Sequence, residues 1–337
     1  MIEQEFALRN IESEPQFYLG TCLTRIKDGR VKMNSTEYIK EVLRKYETKH
    51  GITLRKENVP MHPKAHPELD STPLLGKIEH QEFQHIIGLG QWLILTGRID
   101  IAYAISSLSR FASAPREGHL TLARKVLGYL KKYKKKGILI DPQPPTIKKN
   151  GPTEVKYEDF THQYKYYKEE LDPGFPEPAV PELDINIFSD SDHAHDLVTG
   201  RSITGLLAFV GSTPVYWKSK RQTSVHTSTF GAEFTALKDA TELAVTLRYH
   251  LRAMGVEISK PTNIYVDNKS VVINATNPAS TLNKKAIALA YHYVRQHQSG
   301  NVINIWHVNS WENYADILTK PLGPKLFKDI LFEFMTP

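Results

Sequence analysis

The chain has 337 residues, of which 40% are hydrophobic and 24% are charged, a composition that excludes wholesale disorder. Its length fits two domains better than one. The net charge of +6 permits a polyanionic partner without requiring one. The single cysteine, Cys22, cannot form an intrachain disulfide, and no apolar run approaches the ~20 residues of a membrane span. We therefore expect a cytoplasmic protein without a membrane partner, with the nucleus as the alternative location.

Residues 1–140 are predicted to alternate between short strands and helices. Two strand-like runs flank Asp28–Gly29, which is a strong hairpin signal. Ser35 and Thr36 are expected to cap the helix that follows. Apolar spacing predicts helices over about 36–46, 80–95 and 98–112 and after Pro115.

Residues 141–183 differ in composition from the rest of the chain. Prolines cluster at both ends, and a charged, tyrosine-rich stretch lies between them. Proline cannot donate to a central strand ladder. This segment is therefore predicted to be a linker or insertion between two domains.

From residue 184 onward the predicted order is three strands, a long helix and then further strand–helix units. Strands are predicted at 185–188, 203–210, 214–218, 263–266 and 302–308, and helices at 231–254, 269–275, 284–297 and 312–319. This order predicts an α/β domain over 184–322, with a mixed five-stranded sheet and flanking helices. Residues 323–337 are expected to form a C-terminal tail.

Four acidic residues lie at strand ends or helix starts of this domain, where side chains meet at one edge of an open sheet: Asp190, Glu233, Asp267 and Asp316. Clustered carboxylates repel one another, and Mg²⁺ or Mn²⁺ relieves that repulsion. Two such ions about 4 Å apart hold the attacking water and the leaving oxygen of a phosphodiester. For any single acid, helix capping or a solvated strand end is the alternative. The prediction of a metal site therefore rests on the placement of all four acidic residues together.

Five motifs in the same region resemble the ribonuclease H domains of copia-type (yeast Ty-type) retrotransposons. IFSDSDHAHD (187–196) resembles their YSDADWAGD, and GRSITG (200–205) resembles RKSTSG. VYWKSKRQTSVHTSTFGAEFTAL (215–237) resembles SWKSKKQ…SSTEAEYIAL. IYVDNKSVV (264–272) is similar to IYCDNQSAI, and YADILTKPL (314–322) to LADILTKPL. The motifs occur in the family's order.

The chain departs from this family pattern at two places. Ser-Thr-Glu-Ala-Glu becomes a six-residue run from Ser228 to Glu233, which keeps the last Glu and adds one residue. His193 replaces the Trp of the first motif. The first Glu of the family motif is replaced, and neither departure removes a candidate metal ligand. A catalytically silent remnant that acts at most as a nucleic-acid-binding module is therefore the alternative to an active enzyme.

The N-terminal part resembles the end of a reverse transcriptase of the same lineage. Residues 17–46, 86–111 and 115–131 are similar to segments of the palm end, thumb and connection, although Ile99 replaces a usual Pro. An α+β lobe is expected over 1–140. The Tyr-x-Asp-Asp motif of a polymerase is absent, so no polymerase activity is expected from this chain. This lobe either helps to hold a nucleic-acid duplex or is a structural vestige.

The resemblance implies a metal-dependent ribonuclease that cuts the RNA strand of an RNA–DNA hybrid. The four acidic residues would hold two Mg²⁺ or Mn²⁺ ions. Other Pol and Gag components of a virus-like particle are the implied partners. Six side chains are candidate contacts to the hybrid: Lys218, Lys220, Arg221, Asn268, Lys284 and Lys285. For the three basic residues after Trp217, a solvated hairpin edge is the alternative, and His307 in the last strand is interpreted as a structural histidine.

Overall fold

The computed structural model of the protein describes residues 16–141, 143, 147, 164, 167–282 and 285–336. The N-terminal lobe, residues 16–141, contains β1 (Phe17–Tyr18), β2 (Thr21–Arg25), β3 (Val31–Asn34), α1 (Thr36–His50), α2 (Lys77–Leu95), α3 (Ala102–Ser109), α4 (Glu117–Lys132) and β4 (Gly137–Ile140). The C-terminal lobe, residues 184–336, contains β5 (Ile185–Asp192), β6 (Ile203–Val210), β7 (Thr213–Arg221), α5 (Thr229–Ala253), β8 (Thr262–Val266), α6 (Lys269–Thr276), α7 (Ala288–Ser299), β9 (Ile303–His307), α8 (Pro324–Phe332) and β10 (Met335–Thr336). In these ranges, none of the helices is long and apolar enough to cross a membrane.

The first sheet has the strand order β1-β2-β3-β4-β10 and is antiparallel throughout. The hairpin predicted at Asp28–Gly29 is confirmed, since Arg25 pairs with Val31 across this turn. The last strand comes from the far end of the chain, where Met335 pairs with Ile138. Residues that we expected to form a tail therefore contain a helix and complete the first sheet.

The start of α1 differs from the expected cap. Ser35 occupies the N-cap position, but its hydroxyl donates a hydrogen bond to Thr96 Oγ1 at 3.0 Å and makes no cap. The side chain of Asn34 instead accepts the free N–H of Thr36 at 3.1 Å. The cap is thus supplied one residue earlier, and the Ser35 hydroxyl connects α1 to the end of α2.

The second sheet has the order β7-β6-β5-β8-β9. β5 is antiparallel to β6 and parallel to β8, which is in turn parallel to β9. Successive side chains of these strands point to opposite faces, and both faces are buried. On one face Ile187, Leu206 and Ile264 pack in one core with Phe234 and Leu237 of α5. The mixed five-stranded sheet predicted for 184–322 is confirmed.

One predicted helix of this domain is wrong in type. The region 312–319 forms 3₁₀ turns at Ser310–Glu312 and Tyr314–Leu318 and not an α-helix. Asn313 separates them, because its side-chain oxygen accepts from Ala315 N at 3.2 Å while its amide donates to the carbonyl of Ser189 at 3.1 Å. This tether holds the turn against β5.

The other face of the second sheet packs on the N-terminal lobe. Phe188, Leu207 and Trp306 share one hydrophobic core with Ile105 and Leu108 of α3. At the edge of this interface, Trp217 Nε1 donates to the carbonyl of Ile94 at 3.0 Å. The two lobes are therefore joined by a continuous core.

The described part of the predicted linker lies along α5. Arg248 and Arg252 both pair with Glu169 at 2.8 Å. Partial burial favours a higher pKa for that carboxyl, but the two guanidinium groups outweigh it and lower the pKa to about 2. Val180 forms a parallel bridge with Val256. Residues 167–182 are thus attached to the C-terminal lobe.

We predict that limited proteolysis cuts first within 141–183, because that segment is rich in proline and charge. The two pieces are expected to stay together in native size-exclusion chromatography, since separation would expose the shared core. Separation into free pieces without denaturant, or uniform resistance of 141–183 to protease, would contradict this prediction.

Candidate active site

Three aspartates converge at one edge of the second sheet. Asp190 lies in β5, and Asp267 directly follows β8. These strands run in parallel with Phe188 beside Tyr265, so continuing the register by two residues places the two aspartates side by side. Asp316 enters from the 3₁₀ turn that packs across the edge. Carboxylate oxygens of all three lie within 4.8 Å of one another.

An aromatic stack supports this convergence. An aromatic residue lies two positions before each aspartate. In β5 and at the end of β8, a spacing of two residues places the aromatic ring and the aspartate side chain on the same face of the sheet. The ring of Phe188 lies between the other two, with centroid distances of 4.9 Å to Tyr265 and 4.4 Å to Tyr314. Offset stacking is favourable beyond the burial of area. The three segments that carry the aspartates are therefore joined directly beneath them.

Glu233 is positioned by the start of α5. Ser228 caps this helix by accepting from Gly231 N at 3.3 Å, which places Glu233 in its second turn. The side chain is buried, and its Oε2 has no hydrogen-bond partner among the described residues. Glu233 lies outside the 4.8 Å group, but the charges of Asp190 and Asp267 act on it. A buried carboxylate oxygen without a donor is a free ligand atom.

Burial and mutual repulsion hold the site short of full ionisation. Burial, followed by the charges of Asp190 and Asp267, raises the pKa of Glu233 well above its ordinary value. Burial and Asp190 likewise raise the pKa of Asp267 and bring that of Asp316 to about 8. A bound cation therefore has to compete with protons for these carboxylates.

Lys320 and Thr319 are site residues that the sequence prediction missed. The Lys320 ammonium lies 3.0 Å from Asp316 Oδ1, and the Thr319 hydroxyl donates to Asp190. Desolvation opposes the charged form of Lys320, but Asp190 and Asp316 outweigh it and raise its pKa. The available signal was the i,i+4 spacing of Lys320 from Asp316, which brings the two side chains to one side of a helical turn.

Gln222 is a further missed residue, and it positions Glu233. Its buried amide donates to the carbonyl of Ala232 at 3.0 Å and to Thr204 Oγ1 at 2.9 Å. These bonds connect β6 to the first turns of α5. Sequence alone offers no periodic signal for such a long-range amide contact.

Gly205 allows a close approach between β6 and the turn that carries Asp316. It lies opposite Asp190 in β6, and a Cβ there would come within 2.7 Å of Thr319 Cγ2 and 2.8 Å of the Ala315 carbonyl. The segment that carries Asp316 thus packs on bare backbone.

The two departures from the family pattern meet at His226. The ring of His193, which stands where the family has Trp, donates to the carbonyl of His226 at 2.9 Å. A Cβ on Gly231, within the six-residue run, would lie 3.3 Å from His226 Nδ1. The departures therefore form one local contact beside the start of α5.

The predicted hybrid contacts differ in their surroundings. Lys218 pairs with Asp239 at 3.1 Å, and Arg221 pairs with the buried Asp196 at 2.8 Å. Asn268 caps α6 by accepting from Ser270 N at 3.1 Å.

Two predicted contacts remain exposed. Lys220 and Lys285 are both exposed to solvent, whereas Lys284 lies outside the described residues. The ring of His307 contacts the carbonyl of Asp267 at 3.1 Å, as expected for a structural histidine.

The sheet order 3-2-1-4-5, with its second strand antiparallel, and the acidic edge at its first and fourth strands define a ribonuclease H-like domain. The predicted resemblance to copia-type Pol polyproteins is confirmed. Over 328 residues, 97% of the chain, it is 27% identical to the retrovirus-related Pol polyprotein from transposon RE1 of Arabidopsis thaliana and 25% identical to that from transposon RE2. It is 22% identical over 332 residues to that from transposon TNT 1-94 of Nicotiana tabacum.

The chain spans about a fifth of the length of these relatives, 19% of the first two and 22% of the third. No protein-family model matches it. Among solved structures, it is similar to the N-terminal RNase H domain of a Mycobacterium tuberculosis protein, with 16% identity, a TM-score of 0.33, and coverage of 45% of this chain and 98% of that one. The chain is also similar to RNase H1 of Halobacterium salinarum, with 18% identity, a TM-score of 0.31, and coverage of 41% of this chain and 94% of that one.

We predict that Gly205→Ala displaces the turn that carries Asp316. The added methyl group overlaps backbone as well as side chain, so a loss of about 1–3 kcal/mol in unfolding free energy is expected. Urea unfolding measures it. Gly88→Ala is the matched control, because Gly88 is an exposed position of α2 and nothing lies within 4 Å of an added Cβ, so the change should be neutral or stabilising. Equal stability of the two variants would contradict the prediction, because it would show that the turn moves away from the added methyl group at no cost in free energy.

We predict that Asp316 contributes stability to the metal-free protein at about pH 4 and that this contribution is lost as pH rises to about 8. A proton is held on Asp316 in the folded state and not in the unfolded chain, so unfolding releases this proton and the Asp316 contribution to the free energy of unfolding falls with rising pH. Urea unfolding in EDTA at several pH values measures the slope. Asp316→Asn removes this contribution and should make the slope of unfolding free energy against pH more positive than that of the parent. An unchanged slope in that variant would contradict the assignment.

Proposed function

We propose that the chain is a ribonuclease H that hydrolyses the RNA strand of RNA–DNA hybrids as part of a retrotransposon Pol protein. The observation that carries the proposal is the convergence of Asp190, Asp267 and Asp316 within 4.8 Å, with Glu233 buried beside them. Similarity to Pol polyproteins over 97% of the chain supports the same function.

The donor set fits hard divalent cations. Asp190, Glu233, Asp267 and Asp316 offer only carboxylate oxygens, which suits Mg²⁺ or Mn²⁺ and not zinc. Glu233 Oε2 fits such a ligand role, because a buried oxygen without a hydrogen bond is costly unless something binds it. When bound, a pair of such ions would activate a water molecule and stabilise the departing 3′ oxygen.

Hydrogen bonds from neighbouring residues hold the carboxylates of this site in position. The Thr319 hydroxyl fixes the orientation of the Asp190 carboxylate, and Gln222 holds the backbone that carries Glu233. The tethered turn at Asn313 sets the position of Asp316. Lys220 and Lys285 are exposed cations suited to the phosphate backbone.

The same proposal extends to the partners and the location. An RNA–DNA hybrid is the substrate, with 2′-hydroxyl groups and groove shape as the basis of discrimination. The N-terminal lobe helps to hold the duplex, and other Pol and Gag components surround the protein in a cytoplasmic virus-like particle.

We predict that Asp190→Asn and Asp267→Asn each reduce hybrid cleavage by at least about 100-fold, because each removes a charged ligand from the ion site. Both variants should fold, since loss of one carboxylate relieves repulsion in the metal-free protein. The measurement uses a labelled RNA–DNA hybrid with Mg²⁺ or Mn²⁺ and an EDTA control. Lys325→Gln on the exposed side of α8 serves as the control and should cleave like the parent.

The outcomes separate the alternatives. Cleavage of the RNA strand that stops with EDTA and is lost in both aspartate variants supports the proposal. Cleavage by those variants at the parent rate would show that the assignment is wrong. A parent that cuts nothing with either ion but binds hybrids in a salt-dependent manner would be a silent binding module.

A further inference from the structure

Lys320 places a positive charge against the carboxylate cluster that the proposed function assigns to metal ions. Its Nζ lies 3.0 Å from Asp316 Oδ1, four residues earlier in the chain. Asp190 and Asp192 also act on this ammonium electrostatically. When fully ionised, the four acidic side chains carry four negative charges, and Lys320 offsets one of them. The cluster thus contains a cation of its own.

The side chain has a route away from the cluster. Lys320 is 37% exposed, whereas the Asp316 side chain that it contacts is only 4% exposed. A long aliphatic stem lets an ammonium move towards solvent while its methylene groups stay packed. The carboxylate is therefore fixed, and its partner is able to leave.

We propose that Lys320 is a resident counter-ion of the site, which stabilises the metal-free cluster and is displaced from Asp316 when a divalent ion binds. This positioning role rests on the proposed function, because it requires that the carboxylates bind such an ion. The ammonium and the ion compete for the same negative charge. Loss of Lys320 should therefore destabilise the metal-free protein and strengthen ion binding.

Other roles for Lys320 would change a different set of measured quantities. A lysine that only contacts the substrate phosphate would change hybrid binding and leave ion affinity without substrate unaltered. A lysine that only supports packing would change stability and leave ion affinity unaltered. Of these three roles, only that of a counter-ion predicts that loss of Lys320 lowers the stability of the metal-free protein and raises its affinity for the ion.

The test measures both quantities on the full chain without nucleic acid. Mn²⁺ binding is followed by the paramagnetic resonance signal of the free ion at pH 8, and thermal unfolding is recorded in EDTA. Lys320→Gln should lower the Kd for Mn²⁺ by at least about fivefold and lower the Tm in EDTA by about 2 °C or more. Lys320→Arg keeps the charge and should behave like the parent, as should Lys325→Gln.

Unchanged or weakened Mn²⁺ binding in Lys320→Gln would overturn the proposal, as would a parent that binds no Mn²⁺. An Arg variant that behaves like the Gln variant would also overturn it, because charge would then not be the cause. A parent that binds Mn²⁺ with the expected shift in Lys320→Gln but cuts no hybrid would contradict the ribonuclease and leave the counter-ion role in place.

Discussion

Repulsion between buried carboxylates is the constraint that shapes the C-terminal lobe. A sheet edge that brings Asp190, Asp267 and Asp316 together has no intrinsic reason to stay closed, since like charges in a poorly solvated site separate or take up protons. Attraction just below them opposes this, through the stack of Phe188 with Tyr265 and Tyr314. The site therefore favours cations, because the aromatic rings determine the spacing of the charges and the ammonium of Lys320 offsets only one of them.

Most of the second sheet was predictable because its strands are short apolar runs with clear turns, and the acidic positions followed from where those strands end. The failures share a physical cause. β4 and β10 are too short to show a period, and the hydrogen bonds that form them come from distant parts of the chain: β4 pairs with β3, and β10 pairs with β4. The 312–319 region carries an apolar pattern compatible with a helix, but Asn313 tethers it to β5, and that contact is long-range. Gln222 and Thr319 act through individual side-chain hydrogen bonds, which leave no periodic pattern in the sequence.

The interface between the lobes is built from residues that a separate domain would expose. Tyr103 of α3 contacts His195 Nε2 at 2.6 Å, and His195 Nδ1 contacts Asp192 at 2.6 Å, two residues beyond Asp190. Arg110 of the same lobe and Arg221 share the carboxylate of Asp196. A polar chain therefore runs from the N-terminal lobe to the strand that carries the site. The C-terminal lobe is therefore joined to the N-terminal lobe by polar contacts as well as by the shared core. This agrees with the similarity to Pol polyproteins, which extends along nearly the whole chain.

The pairing of β4 with β10 also imposes an order on biosynthesis. When Gly137–Ile140 leaves the ribosome, one edge of its sheet lacks the strand at Met335–Thr336, and Phe327, Ile330 and Leu331 of the shared core do not yet exist. At roughly 5–20 residues per second, this gap lasts on the order of ten to forty seconds. During that interval the N-terminal lobe presents an open strand edge and apolar surface, the features that invite aggregation and chaperone binding. The ribonuclease H-like sheet has all its strands by residue 307, so the sheet that is begun first is the one that is completed last.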